Sequence, residues 1–125
     1  MPKHTKFQPD LWHTVTPRIV CRDAAGLVSF IRTVFGGSGE LVPGRPAEVR
    51  IGDSIVMVSA AGSRECFSAF LYVYVPDTDA TYLRALAADA SSLEEPADLP
   101  YGDRRAMVRD SWANVWQIAT RSNDR

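Results

Sequence analysis

The chain has 125 residues, 46% of them hydrophobic, and a formal net charge of -1. That length is enough for one domain with a core of its own, and so small a charge gives no basis for nucleic acid or an anionic membrane as partner. No apolar run approaches a membrane span, "MPKHTKFQPD" lacks the apolar centre of a signal peptide, and Cys21 and Cys66 have no C-x-x-C spacing. A cytoplasmic protein with reduced cysteines is therefore expected.

In chain order, the first predicted strand and helix lie in "PRIVCRDAAGLVSFIRTVFG". Leu27, Phe30, Ile31, Val34 and Phe35 recur at three- and four-residue spacing, and Asp23 suits the N-cap. "AEVRIGDSIVMVS" follows as a hairpin, with turn residues in "GDS". "GSREC" reads as an exposed loop. "LYVYVPDTDATYLRALAADA" then repeats strand, aspartate and helix, with Asp77 in the place of Asp23 and a stripe of Leu83, Leu86, Ala87 and Ala90. "SSLEEPADLP" reads as an exposed connector, and "RRAMVRDSWANVWQIAT" closes the chain as a second hairpin. The predicted order is βαβββ, twice: one α+β domain over residues 1–125, with modules of about 12–60 and 68–120.

Strand alternation sorts the side chains into two faces. Ile19 and Cys21, Val56 and Val58, Leu71, Val73 and Val75, and Trp116 and Ile118 are expected under the helices. The opposite face carries Thr16 and Arg18, Glu48 and Arg50, Ile55 and Met57, Phe70, Tyr72 and Tyr74, Arg105, Met107 and Arg109, and Val115 and Gln117. So mixed a lining suggests a cup. Burial of the same face against a second subunit, or against the other half of the chain, is an equally open reading.

Paired modules with helix-opening aspartates, "IGDSIVMVS" and above all "YGDRRAMVRDSWANVWQIAT" resemble the vicinal oxygen chelate superfamily, and within it the glyoxalase and bleomycin-resistance group. The resemblance covers roughly residues 12–120. It implies a curved mixed sheet with helices on its outer face. Relatives commonly read Asp-Pro-x-Gly-Asn before the last strand. Here Asp110-Ser111-Trp112-Ala113-Asn114 keeps the two ends and loses the proline and glycine.

Metal-binding members of the superfamily use inward side chains of the first and last strands of each module. The repeat projects those places onto Thr16, Met57, Phe70 and Gln117. Zinc, nickel, manganese and iron sites of this type need imidazole or carboxylate donors, and of the two histidines, His4 and His13, both precede the first strand. No metal and no other cofactor is expected, with His13 the one residue placed to rescue a site.

Three functions remain open. The first is capture of a small aromatic or anionic molecule by Thr16, Arg18, Arg50, Met57, Phe70, Tyr72, Tyr74, Arg105, Met107 and Gln117, with Trp12 or Trp112 at the rim. The second is a metal-independent isomerase, lyase or cyclase, with Tyr72 or Tyr74 as proton donor and Glu48 as a base raised in pKa by burial. The third is a non-catalytic interaction domain. In each case the expected assembly is a homodimer.

Overall fold

A computed structural model of the chain describes residues 7–122; His4 lies outside them. The elements are β1 (Arg18–Cys21), α1 (Ala24–Phe35), β2 (Ala47–Ile51), β3 (Ser54–Ala60), β4 (Phe70–Tyr74), α2 (Thr78–Ala87), β5 (Ser91–Asp98), β6 (Asp103–Arg109) and β7 (Val115–Arg121). Both helices open as the repeat predicts. The Asp23 carboxylate accepts from the Gly26 N–H at 3.0 Å, and that of Asp77 from the Ala80 N–H at 3.1 Å.

The curved mixed sheet expected from the two modules is realised as two mixed sheets, one per module. A three-stranded sheet has the order β1-β3-β2, and a four-stranded sheet the order β4-β7-β6-β5. The repeat shows in the pairing: β1 runs parallel to β3 as β4 does to β7, and each of these closing strands is antiparallel to its predecessor.

The first module is one strand short of βαβββ. Between α1 and β2 only two isolated bridges form, Ser38 with Arg50 and Val42 with Arg45. "GGSGELVPGRP" explains this. Glycine there adds chain entropy and no packing, and each proline removes a ladder donor. Gly39, at φ 131°, lies so close over the Glu48 carbonyl that a Cβ would collide with it.

The second module has its extra strand where a loop was expected. β5 pairs with β6 through two register shifts, at Ser92/Glu94 and Glu94/Ala97. It is an edge strand, exposed along most of its length, so it carries none of the apolar alternation by which strands are recognised. "GSREC" is an exposed loop, as expected.

Helix-side packing follows the predicted faces. Ile19, Cys21, Val56, Val58, Trp116 and Ile118 are buried in one core with Leu27, Phe30, Ile31 and Val34 of α1; Phe35, Leu71, Val73 and Val75 pack against it. The α2 stripe holds in part: Leu86 and Ala90 pack against the core, and Ala87 is exposed. The buried residues of α2 are Thr78, Thr81, Tyr82 and Ala85, whereas Leu83 is 62% exposed. Polar groups on that helix find partners and so tolerate burial: the Thr78 hydroxyl donates to the Arg104 carbonyl at 3.0 Å, and Tyr82 to the Ser92 hydroxyl at 2.8 Å. Alternation of residue type alone does not show this.

The "DSWAN" turn is built on one carboxylate. Buried Asp110 accepts from the backbone N–H groups of Trp112 and Asn114 at 2.8 and 2.9 Å, from the Asn114 amide at 2.9 Å and from the Trp116 indole at 2.8 Å. Asn114 passes the link on, its side-chain oxygen accepting from the Ala69 N–H at 2.8 Å, just before β4. Ala113 supplies the left-handed residue, at φ 71°, that relatives give to glycine. Trp112, expected at the cup rim, instead packs edge-on against Phe30 of α1, with ring centroids 6.0 Å apart.

This turn yields a paired prediction. Ala113→Gly should stabilise the protein by about 0.5–1 kcal/mol by relieving the left-handed alanine. Asp110→Ala should cost about 3–5 kcal/mol, because it orphans several buried donors at once. Urea unfolding of the two variants checks both, and opposite signs are the expected result.

Candidate functional site

β1 and β4 are the facing edges of the two sheets. β1 meets the segment leading into β4 at one isolated antiparallel bridge, where the N–H of Val20 donates to the Phe67 carbonyl at 3.0 Å and that of Phe67 to the Val20 carbonyl at 2.9 Å. Beyond the bridge, the His13–Pro17 segment and Leu71–Tyr74 line a slot of about 450 Å³, together with the turn from Ile51 to Val56. Leu71, Val73 and Trp116 give its apolar wall; Tyr72 and Tyr74 add aromatic surface, and Thr16, Ser54, His13 and Asp53 add polar groups. The His13 Nε2 lies 2.7 Å from the Asp53 carbonyl oxygen, which pins the ring to the hairpin turn.

The two tyrosines are held from behind. Their rings tilt at 55° with centroids 5.3 Å apart. The hydroxyls of Tyr72 and Tyr74 donate to the same oxygen of Asp103, at 2.6 and 2.8 Å, and Arg121 reaches the other oxygen at 3.3 Å. Asp103 is completely buried, so these partners replace its water. The network runs on through Tyr101, whose hydroxyl is 3.1 Å from that of Tyr72 and accepts from Arg105 at 3.3 Å; Arg105 pairs with Glu94 at 3.0 Å.

This arrangement sets the proton chemistry. Burial, then hydrogen bonds to Asp103 and Tyr101, hold the Tyr72 phenol well above the ordinary tyrosine range. The Tyr72 hydrogen bond, followed by those of Tyr74 and Arg121, holds the Asp103 carboxyl below the usual range against the opposing effect of burial. Tyr72 thus keeps its proton and spends it on Asp103. Asp103 itself was missed in the sequence, where "YGD" reads as turn residues. The available signal was its place two residues before Arg105, on the inward alternation of β6.

The remaining candidates are spread over both sheets. Thr16 lines the slot with Tyr72 and Tyr74. Gln117 lies in register between Tyr72 and Met107, half-buried, and its amide makes no hydrogen bond among the described residues. Phe70, beside Val115, is 68% exposed. On the other sheet Met57 lies between Arg18 and Glu48, while Arg50 reaches the Leu11 carbonyl at 3.5 Å. The burial expected of a base at Glu48 is absent: it is exposed, and on the other sheet from both tyrosines. Trp12 lines a separate shallow cleft with Phe7 and Gln8 rather than the slot's rim.

Solved structures share this architecture. TioX from Micromonospora sp. ML1 superposes with a TM-score of 0.74 at 25% identity, over 87% of this chain and 98% of that one. The chain has the fold of the vicinal oxygen chelate superfamily. A glyoxalase/bleomycin resistance protein/dioxygenase family enzyme from Burkholderia phytofirmans PsJN follows at 0.72 and 21% identity, over 85% of this chain and 96% of that one. A glyoxalase-related enzyme from Fulvimarina pelagi matches at 0.71 and 15%, over 86% and 87%. No family model and no curated protein matches the sequence.

Within the vicinal oxygen chelate fold, the four projected ligand places hold a hydroxyl, a thioether, a phenyl ring and an amide. Among the described residues no group of three or more His, Cys, Asp or Glu is placed to hold a metal ion. No helix among them is long and apolar enough to cross a membrane.

The Asp103 network predicts a pH response. Its stabilising contribution is fully present above the ordinary aspartate pKa, about 3.9, and is lost as pH falls through the lower folded value. Between about pH 5 and pH 3 the urea midpoint of the native chain should therefore fall further than that of Asp103→Asn. In alkali, Tyr72 should keep its proton to higher pH in the native chain than in the variant, read as tyrosinate absorbance.

Proposed function

We propose that the chain holds a small, planar aromatic or anionic molecule non-covalently in the slot between its two modules, with the metal site of the fold degenerate. The observation that carries this is the slot itself. Its volume of about 450 Å³ suits a small ligand, and an apolar, aromatic lining with a few polar groups is the usual make-up of such a site. Tyr72 and Tyr74 offer surface for stacking; Gln117, in register with Tyr72 though outside the slot's lining, offers a donor and acceptor to a ligand that extends past the tyrosines.

Chemistry at the reacting centre is the second reading, as a metal-independent isomerase, lyase or cyclase. The structural relatives leave it open, since the family name they carry joins glyoxalase, bleomycin resistance and dioxygenase. The site favours binding. A tyrosine whose proton is committed to a buried carboxylate is a poor general acid; Glu48 lies on the other sheet, and of the slot's titratable side chains other than tyrosine, His13 and Asp53, the His13 Nε2 is engaged with the Asp53 carbonyl oxygen. The donor set at Thr16, Met57, Phe70 and Gln117 does not fit zinc, nickel, manganese or iron, which take imidazole and carboxylate ligands.

A homodimer belongs to the same proposal. Leu11, Val15, Phe70 and Tyr74 are 77%, 80%, 68% and 58% exposed, and among the described residues β4 has no strand partner on its outer edge. A second copy that covers this surface would close the slot. Without a ligand to hold, the same contact would make the chain a dimeric interaction domain. Native mass spectrometry of untagged protein should show a dimer without stoichiometric divalent metal. A monomer would refute the assembly, and one metal per chain, lost in Gln117→Ala, would refute the degenerate site.

Binding and catalysis part on the tyrosine hydroxyls. With planar aromatic carboxylic acids as probes, Tyr74→Ala and Gln117→Ala should weaken affinity in calorimetry while the fold survives. Tyr72→Phe keeps the ring and should change affinity by no more than about 1 kcal/mol. A catalytic Tyr72 would instead lose turnover by about two to four orders of magnitude with binding intact. Product formed by the native chain and abolished in Tyr72→Phe would give the enzyme reading precedence.

A further inference from the structure

We propose a second binding site, for an oxyanion of two or more charges such as a phosphate group or a polycarboxylate, on the first module. Arg18, Arg45 and Arg64 line one pocket of about 300 Å³, and no carboxylate lines it with them. In a chain with a net charge of -1, this is a local concentration of cations rather than a generally basic surface.

Three unrelated pieces of chain converge to make it. Arg18 starts β1, on the face opposite the core. Its Nε donates to the hydroxyl of buried Ser59 at 2.9 Å, which aims the guanidinium and leaves both terminal nitrogens uncommitted among the described residues. Arg45 closes the Val42-Pro43-Gly44-Arg45 turn, in which the Arg45 N–H reaches the Val42 carbonyl at 3.3 Å. Proline at the second position and Gly44 at φ 83° are what a type II turn requires, so this wall is stiff. Arg64 closes a second tight turn, its N–H donating to the Ala61 carbonyl at 2.9 Å.

None of the three makes an ion pair among the described residues. Other arginines here do find carboxylates: Arg104 pairs with Asp79 and Asp98, Arg105 with Glu94 and Arg121 with Asp103. Glu40 and Glu48 line the adjoining pocket on the far side of Arg45, yet neither reaches ion-pair distance of it. Like charges held around one cavity repel, and a multiply charged oxyanion with several acceptor oxygens relieves that repulsion. A single chloride or a lone carboxylate would satisfy only part of the set.

The site does not depend on occupancy of the slot, so the two can be tested apart. The full chain is titrated by calorimetry with inorganic phosphate and with citrate, at ionic strength held constant with chloride. Saturable binding of at least one is expected, weakened about tenfold or more by Arg64→Gln and by Arg18→Gln. Arg32→Gln removes the same charge from α1 and should leave affinity unchanged. Arg64 lies on an exposed turn, so its variant should keep the native melting temperature without anion; Arg18→Gln also loses the Ser59 bond and serves as the second arm. Preference for phosphate or for citrate would identify the headgroup. No saturable binding up to about 10 mM, or equal weakening by Arg32→Gln and Arg64→Gln, would overturn the site.

Discussion

A single buried carboxylate organises the second half of this molecule. Asp110 gathers two backbone donors, an amide and an indole into one turn, and its partners carry the constraint outward. Asn114 fixes the chain entering β4. Trp116 stands between the core and the slot, with Phe35 of α1 packed 4.9 Å away, centroid to centroid. Trp112 holds Phe30 on the same helix. One side chain therefore positions the last hairpin, the edge strand of the slot and the contact between modules. Such a hub is costly to desolvate, and it is stable here because every strong acceptor position finds a donor.

The faces of the second sheet divide the labour. On one side, aliphatic residues and Trp116 pack against the helices and fix the strand positions. On the other, Asp103 does for the tyrosines what Asp110 does for the turn. It ties two phenols to one oxygen, so the rings keep their orientation while much of their surface stays open. Rigid aromatic surface loses little entropy when a flat molecule stacks on it. The same tether makes Tyr72 a weak acid, so the rigidity that suits binding is gained at the expense of proton transfer.

The first module solves a different problem. Its glycine- and proline-rich segment gives up a strand and becomes a folded loop over the sheet face. Loss of pairing there leaves room for a cavity, and the stiff turn at Pro43 and Gly44 keeps it open. The two halves of one repeat have thus diverged. One keeps four strands and an aromatic face, and the other keeps three strands and an arginine-lined one.

Patterns of local period were legible in the sequence alone. The helix of residues 24–35, both capping aspartates, the two hairpins and the sorting of Ile19, Val58, Val73 and Trp116 toward the helices all follow from spacing. Each depends on residues a few positions apart, where backbone geometry dictates direction. The resemblance carried by the last hairpin led to the fold as well. What spacing did not reveal depends on partners distant in the chain. β5 is a strand only because β6 lies beside it, and Thr78 and Thr81 are buried only because α2 faces a packed surface. Asp103 reads as a turn residue until Tyr72 and Tyr74, about thirty positions earlier, close on it. Arg18, Arg45 and Arg64 are separate charges in the sequence and one pocket in space. Side-chain direction is a local property of the backbone, whereas burial and proximity belong to the assembled fold, and both candidate sites are made by segments distant in the chain.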